Sequence, residues 1–249
     1  RNGKGKEYYY NDKLKFEGEY LNGEKNGKGK EYDEYGELVF EGEYLKGKRW
    51  NGKGNEYNKD GKLMFEGEYL NGERWNGKVN EYYYHGKLMF EGEYLNGEIN
   101  GKGKDYHSWN RYYLQYEGEY LNGKRHGKGK EYNENGKLKY EGEYLSDERN
   151  GKGKEYNENG RLEYEGKYLN GRRHEKGKEY YVDDCYYNGK LKFEGEYEYG
   201  ERKKGKEYDH DYYDNLKEEE KLVEDRVDEQ IKNKVEEKKN KCNIKCYII

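Results

Sequence analysis

The sequence predicts an all-β repeat: an elongated, single-layer antiparallel sheet of tandem β-hairpins followed by a C-terminal α-helix. Three observations carry this reading. The stretch "YEGEYLNGKRHGKGKEYNENGKLK" (116–139) begins again at Tyr140 with hardly a letter changed, and blocks of this kind start at Phe16, Phe40, Phe65, Phe90, Tyr116, Tyr140, Tyr164 and Phe193. Within each block the residue types alternate with period two, as a strand with two unlike faces requires. Asn-Gly pairs, the strongest short hairpin signal, punctuate the blocks.

Composition narrows the class. Charged residues make up 42% of the chain and hydrophobic residues 30%, there are 34 tyrosines, and Pro, Ala and Thr are missing. Such values alone suit a disordered polyampholyte. Regularly placed aromatics argue instead for a repeat array, in which neighbouring units bury a thin continuous core. A net charge of −4 argues against a nucleic-acid binder driven by bulk charge. Three cysteines, Cys185, Cys242 and Cys246, have no framework spacing and point to a reducing compartment. No apolar run is long enough to span a bilayer, and no signal peptide is visible. The chain opens at Arg1 in mid-repeat, so its natural start is expected upstream.

Taken in order, each unit supplies two strands and two turns. The first strand places Leu138, Tyr140, Gly142 and Tyr144 on one face and Lys139, Glu141, Glu143 and Leu145 on the other. The second, "GKGKEY", which also opens the chain after Asn2, places Gly151, Gly153 and Glu155 opposite Lys152, Lys154 and Tyr156. Asn22-Gly23, Asn26-Gly27 and Asn135-Gly136 are read as turns, with His126 and His174 in the same turn position as Asn26. One face is then expected to be a dry stripe of rings lying in glycine gaps. The other becomes a ladder of Glu and Lys pairs, each contributing about 0.2–1 kcal/mol. About 17 strands at ~4.8 Å give a ribbon on the order of 80 Å long.

At this level of detail, "YEGEYLNGKRHGKG" resembles the MORN (membrane occupation and recognition nexus) repeat: Tyr-x-Gly-x-Trp/Tyr, two residues, Gly, then a His/Asn-Gly-x-Gly pair. The "NENGKLKYEG" turn also resembles the bacterial MORN-variant repeats. The resemblance covers residues 2 to about 208. Departures are local. Val79 stands for the second Gly, Asp147 for a turn Gly and Glu175 for the Gly after His174, while Trp50 and Trp75 are expected to lengthen one hairpin loop each. Insertions surround Trp109 and Cys185, and these irregular units are the expected places for a specific partner contact. The resemblance implies a MORN-type solenoid that scaffolds proteins, with self-association and contact with membranes or phosphoinositides.

Catalysis finds no basis in the residues. The Gly-Lys-Gly runs lack a following Ser or Thr and recur in every unit, so they read as strand glycines rather than phosphate cradles. His85, His107, His126, His174 and His210 are scattered, the Glu pairs recur as ladder residues, and Ser108 and Ser146 lie in no triad context. No enzyme activity, cofactor or metal is expected.

The tail changes character, which divides the chain into a repeat array (1–208), a charged helical tail (209–241) and a candidate lipidation segment (242–249). Asn215 with Glu218 is read as a helix start, and Leu216, Val223, Val227, Ile231 and Val235 form an apolar stripe on some 25 residues, expected to cap the sheet or bind a partner. Charge is split, −7 over 209–231 and +4 over 232–249. The ending "CYII" fits the Cys-aliphatic-aliphatic-X prenylation pattern loosely. Cys246 is the expected prenyl site and Cys242 a palmitoyl site, with Lys232, Lys234, Lys238, Lys239, Lys241 and Lys245 facing anionic headgroups. The resulting expectation is a non-catalytic adaptor that presents a rigid β-ribbon to protein partners, and to phospholipid, at the cytosolic face of a membrane. Two other classes remain. One is the accessory repeat domain of a larger enzyme such as a plant-type phosphatidylinositol phosphate kinase, its catalytic part upstream of Arg1; the other is a soluble module resembling the bacterial MORN-variant proteins.

Overall fold

A computed structural model describes residues 1–107, 112–182 and 184–245, with helix side chains described as far as Val235. Its described residues form seventeen strands and one helix. The first eight strands are β1 (Gly3–Tyr8), β2 (Leu14–Leu21), β3 (Glu24–Tyr32), β4 (Leu38–Leu45), β5 (Lys48–Tyr57), β6 (Leu63–Leu70), β7 (Glu73–Tyr82) and β8 (Leu88–Leu95). Then follow β9 (Glu98–His107), β10 (Tyr113–Leu121), β11 (Lys124–Tyr132), β12 (Leu138–Leu145), β13 (Glu148–Tyr156), β14 (Leu162–Leu169), β15 (Arg172–Tyr180), β16 (Leu191–Glu198), β17 (Glu201–Glu207) and the helix α1 (His210–Lys245). Every strand pairs antiparallel with the next in the chain, giving one open sheet with β1 and β17 as its edges.

Turn chemistry sets this meander. Tight turns use two left-handed residues, as at Asn122 (φ 52°) and Gly123 (φ 75°), the geometry whose twist matches paired strands. Ser146 and Asp147 adopt the same conformation, and the Asp147 carboxylate accepts the Arg125 N–H at 2.8 Å, which helps hold a non-glycine there. Wider turns are fastened by side chains: Asn133 Oδ1 accepts the N–H groups of Asn135 and Lys137 at 3.0 and 2.9 Å. Asn26-Gly27, His126 and His174 are not turn residues as the sequence suggested. They sit inside β3, β11 and β15 at bulges, where Gly27 has φ 92°.

The core is a single file. Phe16, Phe40, Phe65, Phe90, Tyr116, Tyr140, Tyr164 and Phe193 are buried, each ring lying across glycines of its own and the following strand. At Gly142 an added Cβ would lie 2.4 Å from the Tyr140 hydroxyl and 2.6 Å from the Gly153 Cα, so only hydrogen fits. The second ring of each first strand meets these rings edge-on. Phe16–Tyr44, Tyr116–Tyr144 and Tyr140–Tyr168 have centroids 5.0, 5.3 and 5.2 Å apart. Such contacts contribute about 0.5–1.5 kcal/mol each beyond burial. The spine therefore links units as well as filling them.

Two units depart from this pattern in an unexpected way. Trp50 and Trp75 do not lengthen loops, because the turns before them keep two residues (Lys46-Gly47 and Asn71-Gly72). The extra residue is absorbed inside β5 and β7, and pairing slips by two. Phe40 lies opposite Gly54 and Phe65 opposite Val79, where Phe16 and Tyr140 face Glu31 and Glu155. Gly52 and Gly77 thereby take the places opposite Gly42 and Gly67. That is why Val79 is tolerated where other units carry the second glycine; it is itself buried. The insertion around Trp109 lies outside the described residues.

Candidate functional site

The aromatic face is not dry. Every second strand from β3 to β17 except β9, which has Ile99 at that place, carries near its start a cation that folds back over the core ring: Arg125 lies 4.4 Å from the Tyr116 centroid, Arg149 4.2 Å from Tyr140 and Arg173 4.4 Å from Tyr164. Glutamates on the same face join them. Arg125 meets Asp105 (3.4 Å) and Glu131 (3.6 Å), Arg149 meets Glu131 (2.7 Å) and Glu155 (2.9 Å), and Arg173 meets Glu155 (2.7 Å) and Glu179 (3.1 Å). Arg202 continues the run between Glu179 and Glu207. Burial pushes the Glu131, Glu155 and Glu179 carboxyls up, but the guanidiniums beside them prevail and hold all three below the usual carboxylate value. The period-two alternation puts Glu155 on this face beside Gly151 and Gly153. One further step back, the same alternation reaches Arg149, the partner of Glu155.

The opposite face is the accessible one. Its ladder pairs are present, with Lys6–Glu17 and Lys30–Glu41 at 3.1 Å and Lys178–Glu194 at 3.5 Å. Tyrosines ending the second strands reach round to the same glutamates, as Tyr132 does to Glu117 (2.7 Å) and Tyr180 to Glu165 (2.6 Å). From β7 to β17 this face forms an open groove of about 1390 Å³, with glycines along its floor and Lys and Glu along its walls. Among the described pairs lysine opposes lysine once. In β14 a lysine, Lys167, occupies the place Glu143 holds in β12, so it pairs across the ladder with Lys152. With Lys154, Lys176 and Lys178 close by, the groove is basic over β13–β15. One carboxylate, Glu175, answers Lys167 at 2.5 Å.

The model described as MORN repeat matches residues 16–34, 90–104, 116–137, 140–160 and 164–186, and that described as MORN repeat variant matches residues 1–22. This is a MORN repeat protein. The matched stretches do not include the units starting at Phe40, Phe65 and Phe193; the first two of these carry the inserted tryptophans. A search of the curated proteins returned no match.

Beyond the MORN array, α1 starts earlier than its sequence suggested. Asp209, not Asn215, supplies the cap: its Oδ1 accepts the Tyr212 N–H at 2.8 Å. The helix does not lie over the open end of the sheet with its whole stripe; its first turns sit on the Cys185 insertion. His210 stacks on Tyr187 (4.3 Å) and pairs with Asp184 (3.0 Å), Tyr187 donates to Asp214 (2.6 Å), and Tyr213 donates to the Leu191 carbonyl (2.8 Å). Cys185 itself is exposed. Lys232 and Lys234 are exposed, and Lys238, Lys239, Lys241, Cys242 and Lys245 fall in the last turns of α1. Cys246 lies outside the described residues. Among the described residues no helix is long and apolar enough to cross a membrane, and no group of His, Cys, Asp and Glu is arranged to hold a metal ion.

Proposed function

We propose that the chain is a non-catalytic scaffold whose ribbon holds extended, acidic protein segments along the Glu/Lys groove. The observation that carries this is the Lys152–Lys167 opposition at the centre of the groove. Lys128 faces Glu143 across the ladder, but Lys152, its equivalent one unit on, faces a lysine and is left for an outside anion. The membership of the MORN family supports an interaction module, and the ring-on-glycine spine supports its stiffness. Exchanging Lys152, Lys167 and Lys176 for Ser is expected to leave the melting temperature nearly unchanged while reducing recovery of the proteins cross-linked to the wild-type ribbon in cells. Equal recovery would move the contact off this groove.

The tail adds an anchor in this reading. Cys246 is prenylated at the cytosolic face of a membrane, and because one lipid chain attaches only reversibly, Cys242 or the six lysines from Lys232 to Lys245 complete the hold. In fractionated eukaryotic cells Cys246→Ser is expected to move the protein from membrane to cytosol. Identical distribution of the two forms would leave the scaffold without this anchor.

A further inference from the structure

The far part of α1 carries apolar residues that nothing in the array covers. Contacts between the helix and the repeats run from His210 to Lys217, which lies over the Tyr187 ring at 5.0 Å. Beyond them Val223, Val227, Ile231 and Val235 are 57, 48, 54 and 46% exposed. Their spacing of four, with Leu216 seven residues before and position 242 seven after, keeps all six within a sector of about 120° at 100° per residue.

This stripe is the same read from either end. Positions 216 and 242, 223 and 235, and 227 and 231 are each symmetric about Glu229, which lies on the opposite side of the helix. Charge is not symmetric but inverted. Residues 217–228 hold six acids against Lys217, Lys221 and Arg226, while 230–241 carry Lys232, Lys234, Lys238, Lys239 and Lys241 against Glu236 and Glu237. Two polar positions fall on the stripe's midline, Glu220 and 238, and they too are symmetric about Glu229.

We propose that two copies of the chain pair through α1 in antiparallel fashion, with the two-fold axis at Glu229. Val223 then meets the second copy's position 235, Val227 its position 231, and Glu220 the lysine at 238. The acidic half of each helix lies against the basic half of the other. Like charges at Lys217 with 241 and at Arg226 with 232 oppose the pairing, but a parallel pair would set each half against a copy of its own net charge. The two ribbons project from opposite ends of a rod on the order of 40 Å long, the rise of 27 residues.

This goes beyond the groove reading and stands or falls separately from it, since no groove residue takes part. The test is sedimentation of the full, unlipidated chain over a concentration series. Wild type is expected to show a monomer–dimer equilibrium, and Val227→Gln with Ile231→Gln to stay monomeric at unchanged helix content by circular dichroism. Direction is read from charge. Glu220→Lys and Lys238→Glu should each weaken the dimer roughly tenfold or more, and the double exchange should restore it. A parallel pair predicts no such rescue. The proposal is overturned if wild type is monomeric throughout, if the dimer survives the Gln exchanges (the repeats then make it), or if rescue fails. A monomer that binds phosphatidylserine vesicles through the same stripe would give the surface to the membrane instead.

Discussion

The regular strands β10–β15 and the slipped strands β4–β8 have nearly the same residues but differ in how they are roofed. In the regular stretch Tyr116, Tyr140 and Tyr164 face Glu131, Glu155 and Glu179, so each arginine reaches a carboxylate on both sides and the ion ladder is continuous. In the slipped stretch one extra tryptophan places Gly54 and Val79 there instead. What remains are separate pairs, Arg49–Glu31 at 3.0 Å and Arg74–Glu56 at 2.5 Å, and cations farther from their rings at 5.0 and 5.1 Å. The edge-on spine keeps running through Phe40, Tyr69, Phe65 and Tyr94. Ring-on-glycine packing thus survives a register slip that the ion ladder does not.

The largest way to break the comparison is to fill a glycine. Gly142→Val puts methyls against backbone at Gly153 and Lys152, and is expected to cost ~3 kcal/mol or more, read as a lowered thermal melt with faster amide exchange in β12 and β13. Next comes restoring the register. Deleting Trp75 alone should drive Val79 onto the Phe65 ring and cost about 2 kcal/mol or more, whereas deleting Trp75 together with Val79→Gly should recover most of it. Additive losses in that cycle would mean that the slip is not what accommodates Val79.

Acid sharpens the contrast further. Because Glu131, Glu155 and Glu179 are held below their ordinary value in the folded chain, the stability they contribute is fully present above about pH 4.5 and is lost as pH falls through their folded values. Melting temperature should be level from pH 8 to 5 and drop below that, and Glu155→Gln should flatten the drop. An unchanged acid profile in that variant would remove the ladder from the account. The smallest effect belongs to the outer face. Glu143→Gln changes an exposed ladder charge and should cost no more than about 1 kcal/mol, in contrast to its neighbour Gly142.

Much of the fold was legible because period two and the Asn-Gly pairs are local signals. The faces of Tyr140, Gly142 and Tyr144, the two-strand unit and the inter-unit turns follow from them directly. Bulges and slips were not legible: the residue inserted at Trp50 puts Arg49 out of step with Gly52, Gly54 and Glu56, but the letters do not say whether a turn or the strand takes it up. The decision is made by where rings find glycines on the neighbouring strand. The groove was readable as a Glu/Lys face, and Lys167 was visible as the one lysine in a column of glutamates; its meaning appears only once pairing sets it against Lys152. The seat of α1 on Tyr187 needed tertiary structure, since an irregular insertion carries no period to read.

Strand order has a consequence for how the chain reaches this state. Each strand pairs only with its chain neighbours, and even the contacts that bridge units span few residues: 25 from Asn133 to Glu158, and 27 from Tyr181 to Tyr208. All-β proteins fold slowly when distant segments must meet before any pairing is rewarded. Here no such search exists. A hairpin can nucleate at any unit and add the next hairpin at its flank, so folding spreads as a zipper in both directions and its rate should depend little on how many units the ribbon contains.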